Sequence, residues 1–338
     1  MKILFDHQLP FLLAHGGAQT QIQKTMEAVA GLGIEVEPLR WWDDSQSGNL
    51  IHFFGLPSAV YSLMAKTKSL PVVATILLTS NCNHPERRLK AQGWAREMIS
   101  RLPGGRLFRG QTNWADYGLV DRFVVGLKAE SRVLELLYGV QPARISIVPL
   151  GLSEAFLQAP PSPRDQDYLV TSGTITDRKR SVELALMATE AKVPVLFIGK
   201  PYSETEKYWQ DFRKLVDGKY VLHQPHVESQ AEMIRLLQSA RGFVIYSRHE
   251  NWCLSAHEAA ACGLPILVQD QPWSRECFGN EASYLLNRDD GGNAARLKNF
   301  FTEAPAKKRP NLAHHSWKDV GERLKRIYEE LVEGRGGE

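Results

Sequence analysis

Ser247-Arg248-His249-Glu250-Asn251-Trp252-Cys253-Leu254-Ser255-Ala256-His257-Glu258-Ala259-Ala260-Ala261-Cys262-Gly263-Leu264-Pro265 decides the reading of this chain, because it sets two carboxylates around the start of one short helix. The preceding Gly242-Phe243-Val244-Ile245-Tyr246 has the unbroken apolar character of a buried strand. Leu254 to Cys262 reads as a helix closed by Gly263, a residue that accepts the left-handed turn after a helix, and Ile266-Leu267-Val268 reads as the next strand. Strand, helix and strand in that order make a βαβ unit. Its helix begins at the carboxyl end of the first strand, where free N–H groups and the positive end of the helix dipole favour phosphate. Glu250 falls in the loop before that helix and Glu258 about one turn into it. Carboxylates there can accept hydrogen bonds from sugar or ribose hydroxyls without facing the phosphate. A solvated helix face also carries glutamates at such spacing, so the pair alone is weak and its surroundings decide.

At 338 residues the chain suits two domains, each able to bury its own core. Lys+Arg 41 against Asp+Glu 38 leaves a net charge of +3, so the molecule as a whole is no polyanion binder, nucleic acid is not an expected partner, and any basic function is local. Cys82, Cys253, Cys262 and Cys277 form no Cys-x-x-Cys pair, which points to free thiols in a reducing compartment and away from a zinc site. Met1-Lys2-Ile3-Leu4-Phe5 is broken by Asp6 and His7 before a signal-peptide core could form, and no apolar run of about 18 residues occurs. A cytoplasmic protein is expected.

Lys2 to Phe5 reads as a strand, followed by a loop to His15-Gly16-Gly17-Ala18 and a helix to about Leu32. Strand, glycine turn and helix open a nucleotide-binding fold. Further strands at 36–39, 50–54, 72–78, 122–125 and 145–148 alternate with helices around 57–67 and 130–138, which predicts parallel α/β architecture. Ala159-Pro160-Pro161-Ser162-Pro163-Arg164 is too proline-rich for a helix or central strand and reads as a linker. The plan then repeats, with a strand at 168–171, a loop from Gly173 to Arg180, a helix to about Ala191 and a strand at 194–198. Trp317, Val320, Leu324, Ile327 and Leu331 give the last helix one buried face. The expected organisation is a lobe over 1–158, a second over 165–316, and a terminal helix within 317–338.

The Ser-x-x-Glu start, the run Glu258-Ala259-Ala260-Ala261-Cys262-Gly263-Leu264-Pro265-Ile266 and the downstream Glu276 together resemble the donor-binding signature of the family-4 retaining glycosyltransferases of the GT-B fold. The resemblance extends along nearly the whole chain. Val120-Asp121-Arg122-Phe123-Val124-Val125, Tyr138-Gly139-Val140 and Ile145 to Gly151 look like the end of that family's first lobe, with Leu150 where Pro-Asn-Gly is usual. His315-Ser316-Trp317 and the helix after it look like the closing segment, whose helix crosses back to the first lobe. The resemblance implies two Rossmann-like lobes with parallel sheets facing across a cleft. It implies transfer of a sugar from a nucleoside-diphosphate sugar to a glycan, lipid-linked or other acceptor, with retention of configuration and without a metal or other cofactor. It gives Glu250 the transferred sugar, Glu258 the ribose hydroxyls, and the backbone of Leu254 and Ser255 the diphosphate.

Thr171-Ser172-Gly173-Thr174-Ile175-Thr176-Asp177-Arg178-Lys179-Arg180 places three cations directly before a helix, suited to stabilising a departing diphosphate. In the family this loop carries an arginine just after the glycine and a lysine five residues later. Lys179 matches the lysine and Thr174 replaces the arginine, so Arg178 or Arg180 supplies the missing charge, unless the segment is a solvated basic helix start. Gly16 and Gly17 stand where backbone can approach phosphate or acceptor. Trp252-Cys253 replaces the usual Phe-Gly, and Leu77-Leu78 stands where Thr-x-His is common, leaving His84 or His15 as substitutes. These departures keep open a sugar-nucleotide epimerase and a binding protein that has lost turnover. The segment 87–109, with Arg87, Arg88, Lys90, Arg96, Arg101, Arg106 and Arg109 among Trp94, Met98 and Phe108, suits either peripheral contact with a membrane or a solvated insertion. Trp41-Trp42 could stack on an acceptor sugar, with core packing expected for at least one of them.

Overall fold

The computed structural model describes residues 1–8, 11, 16–78, 81–102, 115–160, 162–287 and 291–334. The chain forms two compact units, Met1–Gly151 with the segment from Trp317 onward, and Leu152–Ser316.

The first unit is built on β1 (Lys2–His7), β2 (Glu35–Pro38), β3 (Leu50–Phe54), β4 (Val72–Thr75), β5 (Arg122–Val125) and β6 (Ile145–Ile147). All pairings are parallel, in the order β2-β1-β3-β4-β5-β6. Every residue of β3 and β4 is buried, which explains why these segments are mostly apolar without alternating, His52 and Thr75 being the polar exceptions. The connections carry α1 (Gly17–Ala30), α2 (Ala59–Thr67), α3 (Glu86–Arg101), α4 (Asp116–Leu119) and α5 (Lys128–Tyr138). Gly93 lets α3 lie close on α5, since a Cβ there would stand 2.1 Å from the Leu136 carbonyl oxygen. The terminal helix, Trp317–Glu333, belongs to this unit and buries Trp317, Val320, Leu324, Ile327 and Tyr328. Buried His52 fastens it: Nδ1 lies 2.6 Å from the Tyr328 hydroxyl and Nε2 2.7 Å from Thr75 Oγ1. Burial pushes His52 down to about 3, so the ring stays neutral and can donate from one nitrogen while accepting at the other.

The second unit holds α6 (Glu154–Leu157), β7 (Leu169–Ser172), α7 (Ser181–Ala191), β8 (Val195–Ile198), α8 (Lys207–Leu215), β9 (Val221–Gln224), α9 (Gln230–Ser239), β10 (Gly242–Ile245), α10 (Leu254–Ala261), β11 (Ile266–Gln269), α11 (Pro272–Phe278), β12 (Ala282–Leu285) and α12 (Asn293–Glu303). Its sheet is parallel in the order β12-β11-β10-β7-β8-β9. The chain therefore winds outward from β7 in one direction and from β10 in the other. The carboxyl ends of those two neighbours are where sheets of this kind usually take their ligands. The boundary between units falls at Gly151, and Pro160, Ser162 and Arg164 of the proline-rich stretch are fastened to the second unit. Arg164 donates to the carbonyls of Ala304 (3.1 Å), Lys307 (2.8 Å) and Gly263 (2.6 Å).

Cys82, Cys253 and Cys262 are buried, Cys277 is half-buried, and none of the four is in a disulfide. No helix among the described residues is long and apolar enough to cross a membrane. Trp41 and Trp42 correct an expectation: neither packs in the core, and they are 67% and 99% exposed.

Candidate functional site

At the β7/β10 reversal, two loops bring their charges together. Gly173 ends β7 at φ +147°, and Gly199 ends β8 at φ +154°. A Cβ on Gly199 would lie 2.0 Å from the Gly173 carbonyl oxygen, so glycine is required for the two strand ends to pass. Beyond Gly173, Thr176 Oγ1 accepts from the Lys179 N–H at 3.4 Å and caps a single turn over Asp177–Lys179. Arg180 then adopts φ +52° before α7 begins. That left-handed residue divides the three cations. Lys179 Nζ and Arg178 Nη1 both donate to Glu250 Oε1, the arginine at 3.1 Å. Arg180 turns instead to the Tyr246 ring, 5.0 Å from its centroid, and donates to the Asn287 carbonyl at 3.5 Å. Arg178 therefore joins Lys179 on Glu250, and Arg180 does not.

Glu250 is 7% exposed. Burial alone would raise its pKa, but the charges of Lys179 and Arg178 outweigh burial and hold the carboxyl below its ordinary value. It is therefore a buried carboxylate on two cations. Lys179 has three donors, and the bond to Glu250 uses one of them.

Glu258 lies in the second turn of α10, half-buried, and its carboxylate has no hydrogen-bond partner among the described residues. Burial pushes its pKa up to about 7. At the start of α10 the N–H groups of Ala256 and His257 return to the Cys253 carbonyl at 3.1 and 3.3 Å, while those of Leu254 and Ser255 have no acceptor among the described residues. Cys253 itself sits at φ +48°, a conformation that suits the glycine usual in the resembled family and is strained for cysteine. Trp252 stacks on buried His257, ring centroids 4.3 Å apart and planes 3° from parallel.

Several supports carried no signal in the motif. Arg248 joins the loops: its N–H donates to the Arg178 carbonyl at 2.8 Å, and Nη2 reaches Asp177 Oδ1 at 2.9 Å and Glu183 Oε1 at 3.2 Å. Beneath it, buried Gln271 donates to the Arg248 carbonyl at 2.8 Å and to Gln269 Oε1 at 2.9 Å. The polar run Gln269-Asp270-Gln271 at the end of an apolar strand is the signal that could have found this layer.

The remaining candidates lie in the first unit. Gly16, at φ +122°, is the residue before α1, and Gly17 begins that helix with no atom within 4 Å of where its Cβ would be. His15 lies outside the described residues. His84 follows a short turn over 81–83, and burial, with the Arg88 charge, holds its ring below the ordinary imidazole value. In α3, Leu89 and Gly93 face inward while Trp94, Met98 and Leu102 beside it are 68%, 44% and 59% exposed. The part of the basic segment from 103 to 109 lies outside the described residues.

Residues 153–313 match the family model described as glycosyl transferases group 1. A D-inositol 3-phosphate glycosyltransferase of Kineococcus radiotolerans is 26% identical over 171 residues, which are 44% of this chain and 39% of that protein, so the match spans well under half of the relative. Among solved structures, sucrose-phosphate synthase from Thermosynechococcus elongatus superposes with a TM-score of 0.65 at 16% identity, over 100% of this chain and 98% of that one. Anabaena HepE in complex with UDP-glucose superposes with a TM-score of 0.60 at 13% identity, over 100% of both chains. At such identities the solved structures establish the fold. Residues 153–313 are thus similar to the group 1 glycosyl transferases, and the fold of the chain is GT-B.

Proposed function

We propose that this chain is a retaining, metal-independent glycosyltransferase that moves a sugar from a nucleoside-diphosphate sugar to an acceptor hydroxyl. The observation that carries the reading is the meeting of Lys179, Arg178 and Glu250 at the β7/β10 reversal, with unpaired Glu258 and the open start of α10 in the same unit. The donor's ribose diol donates to Glu258, and its diphosphate lies against the N–H groups of Leu254 and Ser255. When the bond from the anomeric carbon to the phosphate oxygen breaks, its electron pair stays on the diphosphate, where Lys179 and Arg178 stabilise the added charge. The acceptor oxygen forms the new bond and its proton passes to the departing phosphate, so no separate strong base is needed. Glu250, held ionised by the two cations, accepts hydroxyls of the transferred sugar and stabilises positive charge developing on its ring. Gly173 clears room for the diphosphate, Arg180 borders the site over Tyr246, and Gly16 and Gly17 offer backbone in the first unit toward the acceptor.

Calorimetry against UDP- and GDP-sugars, followed by NMR of products formed with a mixture of acceptors and a chelator present, tests this reading. Donor binding and a product with the donor's anomeric configuration are expected. Inverted product would overturn retention, loss of activity with chelator would overturn metal independence, and an epimerised sugar released without acceptor would replace transfer by epimerisation.

The exposed Trp94 and Met98 of α3 and Leu102 just after it, flanked by Arg87, Lys90 and Arg101, support peripheral contact with an anionic membrane as the route to a lipid-linked acceptor. Flotation with anionic vesicles is expected to fall with added salt and to disappear on reversing Arg87, Arg88 and Arg101 to glutamate. Flotation unaffected by those reversals would sink the electrostatic account.

A further inference from the structure

The turn after β2 holds Trp41 and Trp42 outside the core, yet it is tied down on every side. Arg40 Nε donates to Asp43 Oδ2 at 2.8 Å, and its Nη1 to Glu37 Oε2 at 2.7 Å. The Arg40 N–H donates to Gln46 Oε1 at 2.8 Å, and Gln46 Nε2 returns to Glu37 Oε2 at 2.9 Å. Asp43 Oδ1 accepts from Ser45 Oγ at 2.6 Å. The Trp41 indole N–H reaches across to Oδ1 of buried Asp6 at 3.4 Å, and the other oxygen of Asp6 accepts from the Tyr61 hydroxyl at 2.8 Å. Asp6 lies at the carboxyl end of β1, and between β1 and β3 the strand order of the first sheet reverses. An exposed indole gains nothing for folding, and a free turn would let the pair collapse onto the surface. Here a hydrogen-bonded frame presents two large rings beside the position where parallel sheets take their ligands. Rigid aromatic side chains supply contact area at small entropic cost on binding.

We propose that Trp41 and Trp42 form a stacking platform for a pyranose ring of a neutral carbohydrate acceptor. The inference rests on the glycosyltransferase reading and gives it an acceptor class. A pyranose offers an axial C–H face, which carries partial positive charge and suits the electron-rich face of an indole, and a rim of hydroxyls that donate to carboxylates. Asp44 is exposed beside Trp42 with no partner among the described residues, and its carboxylate is uncompensated there, whereas Glu37 and Asp43 are paired with Arg40. That charge disfavours an anionic bilayer, whose interface is the other common place for exposed tryptophan.

The probe is an immobilised array of neutral gluco-, galacto- and manno-oligosaccharides, presented to the full chain together with Trp42→Ala, Trp41→Ala and Trp41→Phe. Wild type is expected to retain a subset of the glycans. Trp42→Ala and Trp41→Ala are expected to lose at least tenfold in retention, and Trp41→Phe, which keeps a ring, to lose less than Trp41→Ala. UDP binding by calorimetry is expected to be equal in all four, which also shows that the variants are folded. Retention of no glycan by wild type, or equal retention by the alanine variants, would overturn the platform. Binding to phosphatidylglycerol vesicles lost with Trp42→Ala would assign the pair to a membrane instead. Absence of binding to both UDP and GDP in wild type would count against the transferase reading alone, because glycan retention is measured separately.

Discussion

Lys179→Met is expected to lower transfer by about 10²–10³-fold while leaving UDP affinity within a few-fold, because its charge acts most strongly on the diphosphate as it departs. The same change removes the closer of the two cations on a carboxylate that is 7% exposed. Without Lys179 the burial that favours the neutral acid loses its strongest opponent, so the pKa of Glu250 rises. Breaking one arm of a buried ion pair costs up to about 3–5 kcal/mol, and less here because Arg178 remains. The sign in wild type follows from the depressed pKa: the ion pair contributes stability above the ordinary carboxylate value, and that stability is lost as pH falls through the folded value. A second variant separates structure from chemistry. Lys179→Met with Glu250→Gln removes the orphaned charge and should recover much of the lost melting temperature but none of the activity. Recovery of activity in the double variant would remove both Lys179 and Glu250 from the chemistry.

Glu258→Gln is expected to act in opposite directions on stability and on donor binding. In the folded protein the Glu258 pKa is pushed up to about 7, so its ionised form is disfavoured relative to the unfolded chain. Wild type therefore loses stability as pH rises from the ordinary carboxylate value through about 7, and glutamine removes that loss. The variant should melt higher than wild type at pH 8 and nearly equally at pH 4. Donor affinity moves the other way. A hydrogen bond to a charged acceptor contributes about 1.5–3 kcal/mol, so UDP should bind roughly tenfold or more weakly to the variant at pH 8. On the proposed reading ribose hydroxyls stabilise the carboxylate in wild type, so UDP affinity should rise with pH through about 7 and binding should release a proton. Melting curves at pH 4 and 8 and calorimetry in buffers of different ionisation enthalpy measure these effects. A variant destabilised at pH 8, or binding UDP as wild type does, would remove Glu258 from the ribose site.

The motif's local grammar was legible because it depends on short-range chemistry. Gly263, at φ +87° beyond α10, does what only a residue without Cβ does cheaply, and the apolar runs of β10 and β11 announce strands covered on both faces. Spacing also fixed that Glu250 precedes α10 and Glu258 lies within it, since helix periodicity follows from sequence position alone. Burial was not legible in this way. Trp41 and Trp42 carry the hydrophobicity of core residues, and only the tertiary arrangement leaves them in solvent, because burial depends on what other parts of the chain bring alongside.

The sequence by itself determined the parallel α/β class, the repetition of that plan in two halves, the helix that opens beneath the carboxylates, and the basic loop that precedes α7. The tertiary structure alone decided how those groups are used. It selected Arg178 over Arg180 as the companion of Lys179, because the left-handed backbone at Arg180 sends its side chain to Tyr246 while Arg178 faces a strand's loop some seventy positions away. It also made Glu250 an ion-paired carboxylate and Glu258 an unpaired one with a raised pKa. The two are the same residue type eight positions apart, and only the surrounding charges and the depth of burial, both set by long-range folding, tell them apart.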